Sequence, residues 1–342
     1  MSDLLALAAA NPIPVQFVTG SFLAALVVVG VGTVVHTLIR KPQSSAQSLP
    51  ENPPAAPPPL PVTVVPPLPD ASPYAPPLAP GMTSEEVAAI TRPEEDPSSY
   101  ATPGVKTRWY NPLDPLVAGG LFLFFFFQAV TTAGLPPDAE TKYSAGLLVG
   151  AMFAQFLLAG IVVVVVIMRV RPVQWLGLRW RQWPWALLIG PGCVISMWVL
   201  MIALDSAGYM KWAESLGGGA QDTVKLLKES NDPVILGLMA VIAVLVAPLC
   251  EEIIFRGYLY PVAKRFAGAW PAAIFSALVF GAAHGNLTAL LPLFLLALLL
   301  VWLYEKTGSL WSTIAVHCCF NGATVLIQMI IRYFHLPVDP GL

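Results

Sequence analysis

The sequence predicts an all-α protein: a multi-pass transmembrane helical bundle of about eight spans, with a proline-rich disordered linker after the first. Apolar residues make up 56% of the 342-residue chain and charged residues only 11%, whereas soluble proteins carry roughly 25% charged residues. Several apolar runs reach the ~20 residues that a helix needs to cross a bilayer. Between residues 42 and 80, 15 of 39 positions are proline, which excludes a helix or a packed core there.

The first apolar run covers residues 15–39 and is followed directly by Arg40 and Lys41. A cleaved signal peptide would carry its cations before a shorter apolar run. We therefore expect residues 1–41 to form a signal-anchor helix with its N-terminus outside. Residues 42–115 form a cytoplasmic linker, extended or disordered over its proline-rich part. Its composition favours a spacer, and recruitment of a protein partner is the alternative.

Seven further apolar runs form the membrane-embedded core, residues 116–331, and leave a tail at 332–342. With the N-terminus outside, the lysines and arginines that flank these runs fall on the cytoplasmic side, as the positive-inside rule requires. We therefore expect a multi-pass protein of the plasma membrane, in contact with lipid. Residues 206–232 carry mixed charges and are expected outside, as a surface helix or a solvated loop. The spans lie near 116–134, 144–168, 184–205, 234–256, 269–284, 287–304 and 309–331.

Charge and cysteine usage exclude two classes of protein. The formal net charge of -2 gives no support for nucleic-acid binding. The four cysteines all lie in apolar segments without CxxC spacing, so we expect small buried hydrophobes rather than disulfides. They are Cys193, Cys250, Cys318 and Cys319.

Three charged residues interrupt the apolar run near position 250, in the stretch CEEIIFR. Charged side chains at membrane depth are costly and mark either a functional site or a paired structural group. Glu252 and Arg256 are four residues apart, in the order that favours an ion pair on one helix face. Glu251 is rotated by about 100° from its neighbour. One carboxylate is therefore paired, while the other is available as a general base.

Two later apolar runs carry polar pairs at the same helical spacing. FGAAH places Phe280 and His284 on one helix face, and HCCFN does the same for His317 and Asn321. Intramembrane ionisable residues normally face the interior of a bundle. Each pair alone is explained by interhelical hydrogen bonding. Together with CEEIIFR, they predict three helices that direct polar faces at one buried site.

EEIIFRG, FGAAH and HCCFN resemble, in this order, the EExxxR, FxxxH and HxxxN motifs of one family. This is the CAAX protease and bacteriocin-processing enzyme family (CPBP) of intramembrane glutamic endopeptidases, related to the CAAX prenyl endopeptidase. Gly308 and Trp311 also stand where the family approaches its last motif. The resemblance covers roughly residues 184–331 and excludes the first helix and the linker.

The resemblance implies an endopeptidase of the hydrolase class that acts on a peptide or protein substrate and needs no cofactor. Glu251 would activate a water molecule with help from His284, while His317 and Asn321 would stabilise the oxyanion. The family's supporting ion pair corresponds to the pair that the spacing of CEEIIFR predicts. The substrate segment would be C-terminal or close to the membrane.

Three alternatives remain open on the residues alone. Glu251, His284 and His317 are ligand types that zinc favours, although the compact HExxH spacing is missing. A non-catalytic immunity or scaffold protein could use the same polar pocket for binding. A transporter could use it as a proton relay, but no internal repeat supports this. Loss of activity in Glu251→Gln would separate catalysis from the last two.

Overall fold

The computed structural model describes residues 11–39, 104–107, 109–135, 143–177, 183–219 and 221–334. All regular secondary structure within these ranges is helical. The proline-rich stretch at 42–80 and most of the tail at 332–342 lie outside the described residues.

Within the described part of the chain, seven helices are long and apolar enough to cross a membrane. Their exposed surfaces carry large apolar side chains, as contact with lipid requires. The predicted all-α, multi-pass fold is confirmed. The seven helices are Pro12–Ile39, Asp114–Gly134, Ala145–Ile167, Trp183–Ser206, Pro233–Ala267, Leu287–Thr307 and Leu310–Tyr333.

The eighth predicted span, near 269–284, is a shorter helix than the others. This short helix, Ala269–Ala283, has 15 residues and is about 22 Å long at 1.5 Å per residue. The hydrocarbon core is ~30 Å thick, so this helix is shorter than the length that usually spans it. Gly268 and Gly285 flank it with φ angles of 85° and 61°, which only glycine adopts readily. The helix is an interior element, since most of its side chains are buried.

The helix that carries CEEIIFR, Pro233–Ala267, is longer than the predicted span 234–256. We call it the glutamate helix. Two π-helical turns, Ile242–Val246 and Phe255–Leu259, interrupt its α-helical pattern. Each turn ends two residues before a proline, Pro248 or Pro261. Proline lacks an N–H and clashes with the carbonyl four residues earlier, and a local π turn accommodates this disruption without ending the helix.

The first helix, Pro12–Ile39, is packed into the bundle rather than lying apart from it. Phe22 is buried and makes edge-to-face contacts with Phe122 and Phe126, at centroid distances of 5.2 and 5.4 Å. Gly32 approaches Pro271 of the short helix so closely that a Cβ atom would clash with the proline ring. The first helix therefore packs closely against the short helix.

The segment expected outside the membrane, residues 206–232, contains two short helices, Tyr209–Ser215 and Asp222–Glu229. Between them, the carbonyl of Gly219 accepts hydrogen bonds from Asn286 and Thr288, at 3.0 and 2.8 Å. The segment is thus attached to the loop that follows the short helix.

Candidate active site

Glu252 and Arg256 form a fully buried ion pair on the glutamate helix. Nη1 of Arg256 donates to Oε1 of Glu252 over 2.8 Å, and both side chains have 0% exposure. The guanidinium group also lies over the ring of Phe280, 4.5 Å from its centroid, and Nη2 is 3.5 Å from the carbonyl oxygen of Ala297. Arg256 therefore joins the glutamate helix to two neighbouring helices.

His317, on the last helix (Leu310–Tyr333), lies between the two glutamates. Its Nδ1 is 2.8 Å from Oε1 of Glu252, and its Nε2 is 3.8 Å from Oε2 of Glu251. An ionised carboxylate only accepts hydrogen bonds, so Nδ1 carries a hydrogen and Nε2 faces Glu251. The Glu251 side chain is 24% exposed, whereas Glu252 is enclosed. The two adjacent carboxylates thus differ in access to water.

His284 ends the short helix and is connected to this cluster through Phe280. Its Nδ1 is 3.0 Å from the carbonyl oxygen of Phe280, and since a carbonyl only accepts, Nδ1 is the donor and Nε2 remains available. The Phe280 ring contacts the imidazoles of both His284 and His317, at centroid distances of 5.2 and 5.8 Å. Among the described residues, no carboxylate forms an ion pair with His284.

Asn321 contacts the first π-helical turn of the glutamate helix. Its Nδ2 donates to the carbonyl oxygen of Ala243 over 2.8 Å. The backbone explains why this oxygen is free: the N–H of Ala247 bonds to Ile242 instead, and the next residue is Pro248, which has no N–H. The carbonyl fixes the orientation of the Asn321 amide and leaves one N–H to donate elsewhere.

Two residues that the sequence motifs do not include, Tyr110 and Trp175, contact the second π-helical turn. Both side chains lie within 2.9 Å of the carbonyl oxygen of Gly257. The signal that could have revealed them is Pro261, which removes the N–H that Gly257 would bond in an α-helix. The sequence indicates that a donor is needed but not which residue supplies it.

The described residues contain no group of three or more His, Cys, Asp and Glu side chains that could hold a metal ion. Glu251, His284 and His317, the set considered for zinc, are therefore not gathered as a ligand shell. The four cysteines carry free thiols.

Comparison with known proteins supports the resemblance that the three motifs indicate. Residues 233–323 match the family model "Type II CAAX prenyl endopeptidase Rce1-like". The chain is also 26% identical over 207 residues to the "Putative membrane peptidase YdiL" of Bacillus subtilis (strain 168), covering 59% of this chain and 80% of the relative. No solved structure matches the chain. The two matches confirm the family resemblance and support a membrane protease; the matched segment contains all three motifs.

Proposed function

Since both comparisons support the Rce1-like family of membrane endopeptidases for this chain, we propose that it hydrolyses peptide bonds with a water molecule activated by Glu251. The observation that carries this proposal is the position of the His317 imidazole between Glu251 and Glu252. Glu252 is paired with both Arg256 and His317, so it is not available to activate water. The other glutamate is partly exposed and beside a second polar group, as a general base requires.

In the proposed reaction, Glu251 takes a proton from a water molecule, and the oxygen of that water attacks the carbonyl carbon of the peptide bond. Nε2 of His284 accepts a hydrogen bond from the same water and orients it. The carbonyl oxygen becomes negatively charged in the tetrahedral intermediate. When the C–N bond breaks, Glu251 returns the proton to the leaving amine, so no covalent enzyme intermediate forms.

His317 and Asn321 would donate to the oxyanion of this intermediate. For His317 this requires a hydrogen on Nε2 as well as the one on Nδ1 that Glu252 accepts. The ring would then be an imidazolium, and the cluster that it forms with Glu251, Glu252 and Arg256 would carry two negative and two positive charges. Such a cluster has no net charge to bury, which limits its desolvation cost.

The substrate would be a peptide whose cleavage point is held at membrane depth. A C-terminal tail with a covalently attached isoprenoid meets this condition, because the lipid partitions into the bilayer. A leader peptide or a membrane-proximal segment would also meet it. The flanking lysines and arginines favour a plasma-membrane protein with the N-terminus outside and the proline-rich linker in the cytoplasm.

The test uses the full-length protein in lipid vesicles and an internally quenched, farnesylated peptide ending in a CaaX sequence. We expect cleavage by the wild-type protein, none by Glu251→Gln, and wild-type rates for Glu214→Gln, whose side chain lies in an exposed helix. Activity should survive a membrane-permeant chelator. Loss on chelation and recovery with zinc would favour the metal mechanism instead.

If the farnesylated peptide is not cleaved, it is not the substrate, and the protease activity itself is tested by a second experiment. Comparison of membrane and C-terminal peptides from cells with wild-type protein and with Glu251→Ala should then reveal cleavage products that depend on Glu251. If no peptide differs between the two, the protein is not a protease that uses this residue.

A further inference from the structure

The backbone of the glutamate helix leaves a buried carbonyl without its α-helical partner directly after Arg256. This is the carbonyl of Gly257, in the π-helical turn Phe255–Leu259. In an α-helix it would accept from residue 261, which is Pro261 and has no N–H. A buried carbonyl without a donor is costly, and a shift of this turn would move the adjacent guanidinium group.

Two side chains from outside the family-matched segment supply the donors. The Tyr110 hydroxyl donates to the Gly257 oxygen over 2.8 Å, and the Trp175 indole N–H lies 2.9 Å from both this oxygen and the Tyr110 hydroxyl oxygen. Both side chains are 3% exposed. Burial raises the pKa of the Tyr110 hydroxyl, which therefore remains protonated and able to donate.

The residues after Trp175 contact the start of the last helix, which carries His317. The carbonyl of Leu176 accepts a hydrogen bond from the N–H of Leu310, the first residue of that helix, over 2.9 Å. Gly177, with a φ angle of 58°, lies so close to the carbonyl of Gly308 that a Cβ atom would clash with it. One short segment, 172–177, therefore contacts both helices that meet at the candidate active site.

We propose that Tyr110 and Trp175 are positioning residues of the active site. By binding the Gly257 carbonyl while the Trp175 segment holds Leu310, they fix the distance between the glutamate pair and His317. The consequence for catalysis rests on the proposed function, whereas the consequence for the Glu252–His317 contact does not. Neither residue touches the reacting atoms, and each acts through the helix backbone.

The contacts predict that the two residues substitute for each other. In Tyr110→Phe the indole N–H still reaches the Gly257 oxygen, and in Trp175→Phe the tyrosine hydroxyl still does. Only the double variant leaves the carbonyl without a side-chain donor. We therefore expect kcat to fall less than ~3-fold in each single variant. In the double variant, the loss in kcat should exceed the product of the two single losses by at least ~10-fold, with KM nearly unchanged. The assay uses the farnesylated CaaX peptide.

A second readout requires no substrate. The chain contains four histidines, so the spectrum of protein labelled with ¹⁵N-histidine in lipid vesicles is simple, and His317→Gln identifies the His317 signals. We expect the Nδ1 signal of His317, which reports its hydrogen bond to Glu252, to move in the double variant. The matched control is Tyr333→Phe with Trp185→Phe, since both of these side chains are exposed. The control should leave the signal and the kinetics unchanged.

Strictly additive kinetic losses, or an unchanged His317 signal in the folded double variant, would overturn the proposal. A wild-type protein that cleaves no peptide, with a His317 signal that moves as expected, would instead reject the proposed function and keep the positioning role. If the double variant does not fold, Gly177→Ala replaces it. A Cβ atom at Gly177 would clash with the Gly308 carbonyl and displace the start of the last helix from the Trp175 segment, so this variant should move the His317 signal, and an unchanged signal would count against the proposal.

Discussion

One carboxylate oxygen of Glu252 is shared by His317 and Arg256. Oε1 lies 2.8 Å from Nδ1 of the imidazole and 2.8 Å from Nη1 of the guanidinium group. Neighbouring Glu251 has neither contact and remains 24% exposed, with His317 Nε2 3.8 Å away. Two glutamates adjacent in sequence therefore have different environments, and different effects of substitution follow.

Glu251→Gln should abolish turnover and leave the protein folded. The amide has nearly the shape of the carboxylate but cannot take a proton from water, and loss of a positioned general base typically lowers the rate ~10²–10⁴-fold. Cleavage of the quenched peptide and thermal unfolding in detergent measure the two effects. Near-normal turnover with an intact fold would assign the base to another residue.

Arg256→Ala should reduce stability far more than Glu251→Gln does. Removing one partner of a buried ion pair leaves an uncompensated charge and costs about 3–5 kcal/mol. Lys264→Ala is the comparison, because its pair with Glu305 is partly exposed, and such pairs contribute only ~0–1 kcal/mol. Thermal unfolding should show that Arg256→Ala is clearly less stable than both Lys264→Ala and Glu251→Gln. Equal stability of Arg256→Ala and Glu251→Gln would contradict a structural role for the pair.

His284→Asn should fold normally and lose activity. An asparagine amide at this position can still donate to the Phe280 carbonyl, as Nδ1 of the imidazole does, but it lacks the outer nitrogen that would orient the water. We expect a rate loss of ~10²–10⁴-fold. His36→Asn, a change on the first helix, serves as the control. An active His284→Asn protein would remove His284 from the proposed reaction.

Asn321→Ala should lower kcat about 10²–10³-fold with little change in KM, as expected for loss of an oxyanion donor. Asn321→Asp should be at least as damaging, because a carboxylate would face both the developing oxyanion and the Ala243 carbonyl, which now binds the amide N–H. A zinc mechanism predicts that aspartate is tolerated. Kinetics and metal content of the two variants in one detergent preparation distinguish the mechanisms, and an active Asn321→Asp enzyme would reject the oxyanion role.

The helices and the composition of the site follow from local sequence patterns. Apolar run length gives the spans, and the spacing of Glu252 and Arg256 places both on one face of a helix whatever surrounds it. Spacing also places His317 and Asn321 on one face of the third helix of the predicted site, because the two residues are four positions apart. These relationships depend on helix geometry alone, so a single sequence contains them.

Other features depend on contacts between distant residues and escape such patterns. The extension of the glutamate helix to Ala267 through two π-helical turns requires donors for the carbonyls that Pro248 and Pro261 leave free. Those donors include Asn321 and Tyr110, which are 78 and 147 residues away from their acceptors. No periodicity predicts that pairing, because it arises only when the bundle is assembled.

The contact between Gly32 and Pro271 has a consequence for synthesis. The first helix enters the membrane long before the short helix has been made, since about 240 residues separate the two contact points. Until then Gly32 lacks Pro271 as a neighbour, and the main contacts of the first helix are with the second helix and the end of the glutamate helix. Closure of this contact must therefore be a late step of assembly, and a chain truncated before residue 269 should expose the face of its first helix that the short helix covers in the complete bundle.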